Sequence, residues 1–305
     1  MTAVEAHDYE HVAVLHDGPD DLARRVAGPL RNGLERGESV LVCLDAPTWQ
    51  AVAARVGPIA ARATVMPPTE RYASPGTAMA ELHRFVDGSL DAGAPSVWSI
   101  GTLPFEGDEH DDRWWRYESA VDAVLGDRPL HAICAYDRST ATPRQVAGAC
   151  RTHAVVDAAT GRQASPSFRL DADVEAGRPS PPWSPQLDLR PDTAASARHA
   201  VAAAVGASLD PGSLDDLVVM VSEMVANGLR HGRPPVTVRL WNAPDEVVVE
   251  VRDCGDGLDD VYADLRRPRG SAAGGFGLWL VGQLAHRVTI GRDADGSVVT
   301  AAVRR

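Results

Sequence analysis

The sequence predicts a two-domain α/β protein. Three observations carry that prediction. Residues 11–150 alternate apolar runs with amphipathic stretches, strand-like then helix-like, five times over. Residues 157–187 then lose apolar periodicity around Pro166, Pro179, Pro181, Pro182 and Pro185. Beyond Leu187 a long amphipathic helix opens a new series of strands and glycine-rich turns. At 305 residues, each half is long enough to bury its own core. The expected division is residues 1–156, a linker at 157–187, and residues 188–305.

In the first half, His11–His16, Ser39–Leu44, Ala63–Met66, Ser96–Ile100 and Leu130–Tyr136 read as strands. Asp21–Arg36, Pro47–Val56, Thr77–Ala92, Trp114–Leu125 and Pro143–Thr152 read as helices between them. The strands are continuously apolar, which fits a mostly parallel sheet with helices on both faces. The Pro-rich segment reads as a linker, with one short extended piece around Phe168–Leu170.

In the second half, Thr193–Val205 is a helix. A longer one follows from Ser213, with Asp216 placed for a capping box and His231–Gly232 as its stop. Leu214, Leu217, Val218, Val221, Met224, Val225 and Leu229 recur at three- and four-residue steps, so one face packs on a core. Val236–Trp241 and Val247–Asp253 read as strands, and Leu278–Leu284 as a helix. Val288–Ile290 and Val298–Val303 read as a hairpin around Asp295–Gly296. The expected sum is a mixed sheet with helices on one face, without internal repeats.

Composition excludes several functions. The net charge of −12 argues against general nucleic-acid binding. All 30 basic residues are arginine, which excludes a lysine-bearing P-loop and Schiff-base chemistry. No apolar run reaches a membrane span and the N-terminus lacks a signal pattern, so a cytoplasmic location is expected. Cys43, Cys134, Cys150 and Cys254 form no C-x-x-C pair and read as reduced thiols, not a zinc site or a disulfide frame.

Three motifs in the last third carry chemistry. Glu223 and Asn227 are four apart and share a helix face opposite the apolar stripe. There an Asn oxygen can ligate Mg²⁺ while the carboxylate handles a proton. Alone, the pair reads as a solvated polar face. Asp253 ends a strand, where a carboxylate can accept from an exocyclic amino group such as adenine N6. Gly255 and Gly257 leave room for backbone to approach a base and sugar. Alone, this motif reads as a turn. Gly274, Gly275 and Gly277 lead into the helix at Leu278, and glycines at a helix N-terminus expose N–H groups to phosphate. Between the second and third motifs lie Arg266, Arg267 and Arg269, read either as a short mobile lid that clamps a γ-phosphate or as a solvated basic loop. Ser297 adds a hydroxyl near the adenine side.

In this order and spacing, Glu223-x-x-x-Asn227, Asp253-x-Gly255-x-Gly257 and Gly275-x-Gly277-Leu278 resemble the ATP site of the GHKL superfamily, the Bergerat α/β sandwich. With Ser222–Gly232, the segments at 251–257 and 274–281 look like the anti-sigma-factor serine kinases of that superfamily. The resemblance covers about residues 188–305. It implies ATP and Mg²⁺ as cofactors, a STAS-domain anti-anti-sigma factor phosphorylated on serine, and a sigma factor as second partner. It implies that Asn227 ligates Mg²⁺, that Asp253 holds adenine, and that Gly255, Gly257, Gly275 and Gly277 line the nucleotide. Glu223 would activate or orient the acceptor hydroxyl. Two residues depart from the pattern: Ser297 stands where many relatives have Thr, and Phe276 is bulky beside the phosphate turn. Two other readings stay open, an ATP-dependent sigma-factor-binding module without transfer and a sensor histidine kinase. The last needs a phosphoacceptor helical hairpin where this chain has its Pro-rich linker, with only His199 nearby on a short helix.

Residues 8–155 look like the MEDS domain, a DcmR-like sensory module, through His11–Leu15, Leu34–Val42, Trp115–Glu118 and Cys134–Asp137. That resemblance implies control of the ATP-binding half, by a small-molecule effector among the candidates, and a homodimer stays open. No G-x-x-x-x-G-K follows the first strand, so a second ATP is not expected there. His7, His11 and His16 are set aside as a metal cluster, because His11 and His16 point to opposite sides of a strand. Glu106–Asp112 reads as a solvated loop. Trp114, Trp115 and Tyr136 read as core aromatics rather than a ligand pocket.

Overall fold

A computed structural model of the chain describes residues 9–105, 112–169, 184–268, 275–293 and 296–305. In chain order the elements begin β1 (Glu10–His16), α1 (Pro19–Glu35), β2 (Ser39–Cys43), α2 (Ala46–Val56), a 3-10 turn at Pro58–Arg62, β3 (Thr64–Val65), α3 (Pro68–Arg71) and α4 (Pro75–Asp91). Next come β4 (Val97–Gly101), α5 (Asp112–Leu125), β5 (Leu130–Asp137), α6 (Pro143–Thr152), β6 (Val155–Ala158) and β7 (Gly161–Ala164). The chain ends with β8 (Leu187–Leu189), α7 (Ala194–Val205), α8 (Pro211–His231), β9 (Thr237–Asn242), β10 (Glu246–Asp253), α9 (Phe276–Leu284), β11 (Arg287–Asp293) and β12 (Gly296–Arg304). They divide into two compact units, one around β1 to β7 and one around β8 to β12.

The first unit is a seven-stranded sheet in the order β3-β2-β4-β5-β1-β6-β7, parallel except where β7 pairs back on β6. Strand alternation splits its core in two. Val12 and Val14 of β1 pack with Leu22, Val26 and Leu30 of α1 and Val52 of α2. Ala13 and Leu15 pack on the other face with Trp115 of α5, Tyr136 of β5 and Ala149 of α6. Both faces are therefore covered, which is why these strands carry no polar alternation. Trp114, Trp115 and Tyr136 are core residues, each 5 % exposed or less.

The expected linker starts later than residue 157. Residues 155–164 form the β6–β7 hairpin, turned at Gly161 with φ 92°. Sequence missed it because β7 is exposed along its length and carries no apolar signal. The extended piece expected at Phe168–Leu170 does not form at Phe168 and Arg169, and Leu170 lies outside the described residues, as do His7, Glu106–Asp111, Arg269 and Gly274.

The second unit is a five-stranded sheet in the order β11-β12-β10-β9-β8. It is antiparallel at every pairing, not mixed as expected. A short reversal joins β9 to β10, the longer connection through α9 leads to β11, which runs in the same direction as β10, and β12 returns between them antiparallel to both. Leu217, Met220, Val221, Met224 and Val225 of α8 pack with Val201 and Val205 of α7, Val281 of α9, and Val238, Val249, Val251 and Ala301 of the sheet. This places the C-terminal turns of α8 beside the end of β10.

Candidate functional site

α8 is the spine of the site. Asp210 caps it, accepting the N–H groups of Gly212 at 2.9 Å and Ser213 at 3.1 Å, and Pro211 occupies the first turn. The expected start at Ser213 is corrected by one turn. Asp210 supplies the acceptor and Pro211 a preset φ, so Ser213 is a donor inside the helix and not its cap. Hydrogen bonds to Ser213 and Gly212 hold the Asp210 carboxyl below its ordinary value.

Glu223 and Asn227 share one flank of α8, as their spacing predicts, and are half-buried rather than on a fully solvated face. The cause is α9, which leans over that flank. A Cβ on Gly277 would sit 2.7 Å from Glu223 Oε2, so with the carboxylate in this position the helix start comes this close only because the residue is glycine.

Nine residues after Glu223, Gly232 ends α8 against Asp253 of β10. Its φ of −84° does not need glycine, so the expected helix-stop role is not why it is there. A Cβ on Gly232 would lie 2.4 Å from Asp253 Cγ. Asp253 is 8 % exposed, and its Oδ1 accepts two backbone N–H groups, from Gly255 at 2.7 Å and Arg233 at 3.2 Å. Among the described residues, both bonds it accepts fall on Oδ1. Gly255 is tight as well, since its Cβ would meet Asp253 Oδ1 at 2.6 Å. Ser297 of β12 is directly opposite Asp253 in register and buried. Gly296, at φ 136°, lies where a Cβ would strike the Asp253 carbonyl. Gly257, at φ 88°, packs against the side chain of Arg292.

The third motif forms a helix start without a side-chain cap. Gly275 is left-handed at φ 92° and α9 begins at Phe276, so the first N–H groups of α9 have no partner inside the helix. Leu278, the last residue of the third motif and a candidate nucleotide contact with its glycines, has a side chain 7 % exposed that belongs to the core, so it offers a ligand only its backbone. Phe276 is exposed and meets Trp279 edge-on at 6.1 Å.

The expected arginine lid is corrected in its first half. Tyr262 and Leu265 are buried, Leu258 and Ala263 pack on the core, and the Asp264 carbonyl lies against Gly282 of α9. Arg266 Nε is bound to Asp260 Oδ2 at 2.6 Å, an ion pair that a phosphate would have to displace. Arg267 is exposed, and Pro268 comes within 3.8 Å of where a Gly275 Cβ would be, which brings the segment to the glycine turn. Arg233 and Arg292 were missed by sequence reasoning. They flank Asp256 at 2.6 and 4.0 Å, beside the Asp253 turn, and nothing in their spacing marks them out.

The structure thus gathers Glu223, Gly277, Gly232, Asp253, Gly255 and Ser297 along the last turns of α8. From Glu223 to Gly232 the helix rises about 13 Å. The buried Asp253 carboxylate lies towards one end of this stretch and the uncapped N–H groups of α9 towards the other, with Asn227 between Glu223 and Gly232 along α8. The Cβ-free approaches at Gly232 and Gly255 let backbone close on Asp253, and that at Gly277 lets α9 close on Glu223.

In the first unit, a cleft of about 500 Å³ is lined by residues that include Glu38, Arg62, Met66, Glu81, Arg84 and Phe85. No helix among the described residues is long and apolar enough to cross a membrane.

Comparison with known proteins agrees with this division. Residues 10–154 match the MEDS family, described as MEthanogen/methylotroph, DcmR Sensory domain. Residues 187–303 match the family described as histidine kinase-like ATPase domain. A curated relative, the signal transduction histidine-protein kinase AfsQ2 of Streptomyces coelicolor, is 38 % identical over 92 residues, covering 27 % of this chain and 16 % of the relative. The chain therefore spans under one fifth of that relative's length. The chain thus carries a MEDS domain in its N-terminal half and a histidine kinase-like ATPase domain in its C-terminal half.

Proposed function

We propose that the chain binds ATP with Mg²⁺ and phosphorylates a serine on a STAS-domain anti-anti-sigma partner, that it sequesters a sigma factor, and that the MEDS domain controls both. ATP supplies the phosphoryl group, and Mg²⁺ neutralises its charge. Asp253 holds the adenine amino group, with the Ser297 hydroxyl beside it. Asn227 offers its side-chain oxygen to the cation, and the first N–H groups of α9 face the phosphates. Glu223 would take the proton of the acceptor serine hydroxyl as the serine oxygen bonds to the γ-phosphorus and the bond from that phosphorus to the β,γ-bridging oxygen breaks, releasing ADP.

The observation that carries this reading is the position of Glu223. Its carboxylate stands against Gly277 at the phosphate end of the site, on the same helix face as Asn227. The test is purified full-length protein with labelled ATP, Mg²⁺ and a STAS partner. Glu223→Gln should keep nucleotide binding and lose transfer, and Asn227→Ala should lose both. Transfer at the wild-type rate by both variants sinks the assignment. Binding without any labelled partner selects the non-catalytic module instead.

The AfsQ2 relative favours a second reading, transfer to histidine. Its candidate acceptor is His199, exposed on the twelve-residue helix α7. Among the described residues from 184 to the start of α8, the only elements are β8 and α7, so no helical hairpin presents that histidine there. Acid-labile phosphate on His199 would establish this reading.

A further inference from the structure

We propose that the MEDS domain binds one divalent transition cation of the zinc class through His11, Glu118, Cys134 and His153. The four come from different elements: β1, α5, β5 and the residue that ends α6. Alternation of β1 and β5 turns His11 and Cys134 to the sheet face that α5 and α6 cover, and their ligand atoms all lie within 4.8 Å of one another.

The separations fit tetrahedral coordination. Cys134 Sγ is 3.4 Å from His11 Nε2 and 3.2 Å from Glu118 Oε2. Glu118 Oε2 is 3.2 Å from His11 Nε2 and 3.6 Å from His153 Nε2. A tetrahedron with bonds of about 2.1 Å has ligand–ligand edges of about 3.4 Å. Four of the six edges therefore have the length that a central cation requires.

The remaining atoms of each ligand are already held. His11 Nδ1 is 3.2 Å from Asp122 Oδ2, and Asp122 also accepts Tyr9 Oη at 2.9 Å. Glu118 Oε1 accepts Tyr136 Oη at 2.7 Å. His153 Nδ1 is 2.9 Å from the Ala149 carbonyl, an acceptor only, so Nδ1 carries the proton and Nε2 the lone pair. This is how outer partners orient metal-bound imidazoles and carboxylates.

Independently, His153 Nε2 is buried and makes no hydrogen bond. His153 and Glu118 are fully buried and His11 is 4 % exposed. An unpaired imidazole lone pair facing a buried carboxylate is costly in an apolar core, and a cation between them removes that cost. Binding releases the Cys134 thiol proton that otherwise points to Glu118 Oε2. Sequence spacing pointed away from zinc because no two of these ligands are close along the chain. His16, on the same strand, instead bonds the Gly18 carbonyl.

The test is cobalt titration of the full chain after chelation. The expected result is saturation at one equivalent, with tetrahedral visible bands and a near-ultraviolet thiolate-to-cobalt band. Zinc should displace both. Cys134→Ser should abolish the thiolate band and weaken binding on the order of 100-fold, while Cys254→Ser leaves both intact. Asp122→Asn should weaken binding roughly 10–100-fold. Absence of a stoichiometric cobalt spectrum in the wild-type chain overturns the proposal whether or not the variants fold. A thiolate band that survives Cys134→Ser overturns it equally.

Discussion

The two halves of this chain build their polar centres in opposite ways. In the ATPase domain the candidate nucleotide site is made of backbone and missing side chains. Gly232, Gly255, Gly277 and Gly296 each stand where a Cβ would meet a neighbour within 3 Å. The site's buried carboxylate, Asp253, is held by two N–H groups. In the MEDS domain the candidate cation site is made of side chains, three of them almost wholly buried, meeting across a sheet. A site for a large ligand needs open surface into which backbone can aim, whereas a site for one ion needs donors converging inside a core. The first kind tolerates few added atoms and the second tolerates few removed ones.

The largest way to break that contrast is to remove Asp253. Asp253→Ala deletes the carboxylate proposed for adenine, and ATP affinity should fall about 100-fold, as for loss of a hydrogen bond to a charged group. Calorimetry with a non-hydrolysable ATP analogue measures it. Cobalt binding by the same variant should be unchanged, because the two centres lie in separate domains with separate cores. Loss of both in one variant would show that the halves are not independent.

The converse perturbation is close in size. A cation that binds only the folded MEDS domain adds roughly 2.7 kcal/mol at a concentration 100 times its Kd. Zinc should therefore raise the melting temperature of the MEDS transition, and chelator should lower it, in a calorimetric scan. His153→Gln should make that transition insensitive to zinc. A zinc-dependent shift that persists in His153→Gln would place the cation elsewhere.

A subtler test adds one atom. Gly277→Ala puts a methyl 2.7 Å from Glu223 Oε2, a side-chain end that can swing away. The fold should survive, because Gly277 lies in a helix where alanine is favourable. The displaced carboxylate should cost transfer about tenfold with nucleotide affinity nearly kept. Equal losses in binding and transfer would show that the methyl blocks the phosphates rather than moving Glu223.

The same contrast explains what was legible in the sequence. The strands and helices of both domains were readable where apolar runs and caps coincide, as at β5 and at α7 with its Thr193 cap. The three nucleotide motifs were readable because each is local and sits on one turn or one helix face. The reason for Gly232 was not, since it depends on Asp253 arriving from another strand. The His11, Glu118, Cys134 and His153 set was invisible for the same reason: strand register brings Ala13 opposite Cys134, and no spacing records that. The antiparallel course of the second sheet and the β6–β7 hairpin also depend on pairing partners, which periodicity does not name.

The smallest expected effect separates a local signal from its tertiary setting. Sequence placed the cap of α8 at Ser213, and the structure places it at Asp210. Ser213→Ala keeps the backbone N–H that Asp210 accepts and should lower the ATPase-domain transition less than Asp210→Ala does. The sign of the pH dependence follows from the depressed carboxyl of Asp210. Its contribution is fully present above the ordinary aspartate value and is lost as pH falls through the lower folded value. Asp210→Asn keeps a capping oxygen that does not titrate. Its thermal stability relative to wild type should therefore improve on acidification. A constant difference between the two proteins from neutral pH down to the acid transition would show that the Asp210 charge plays no part in holding the start of α8.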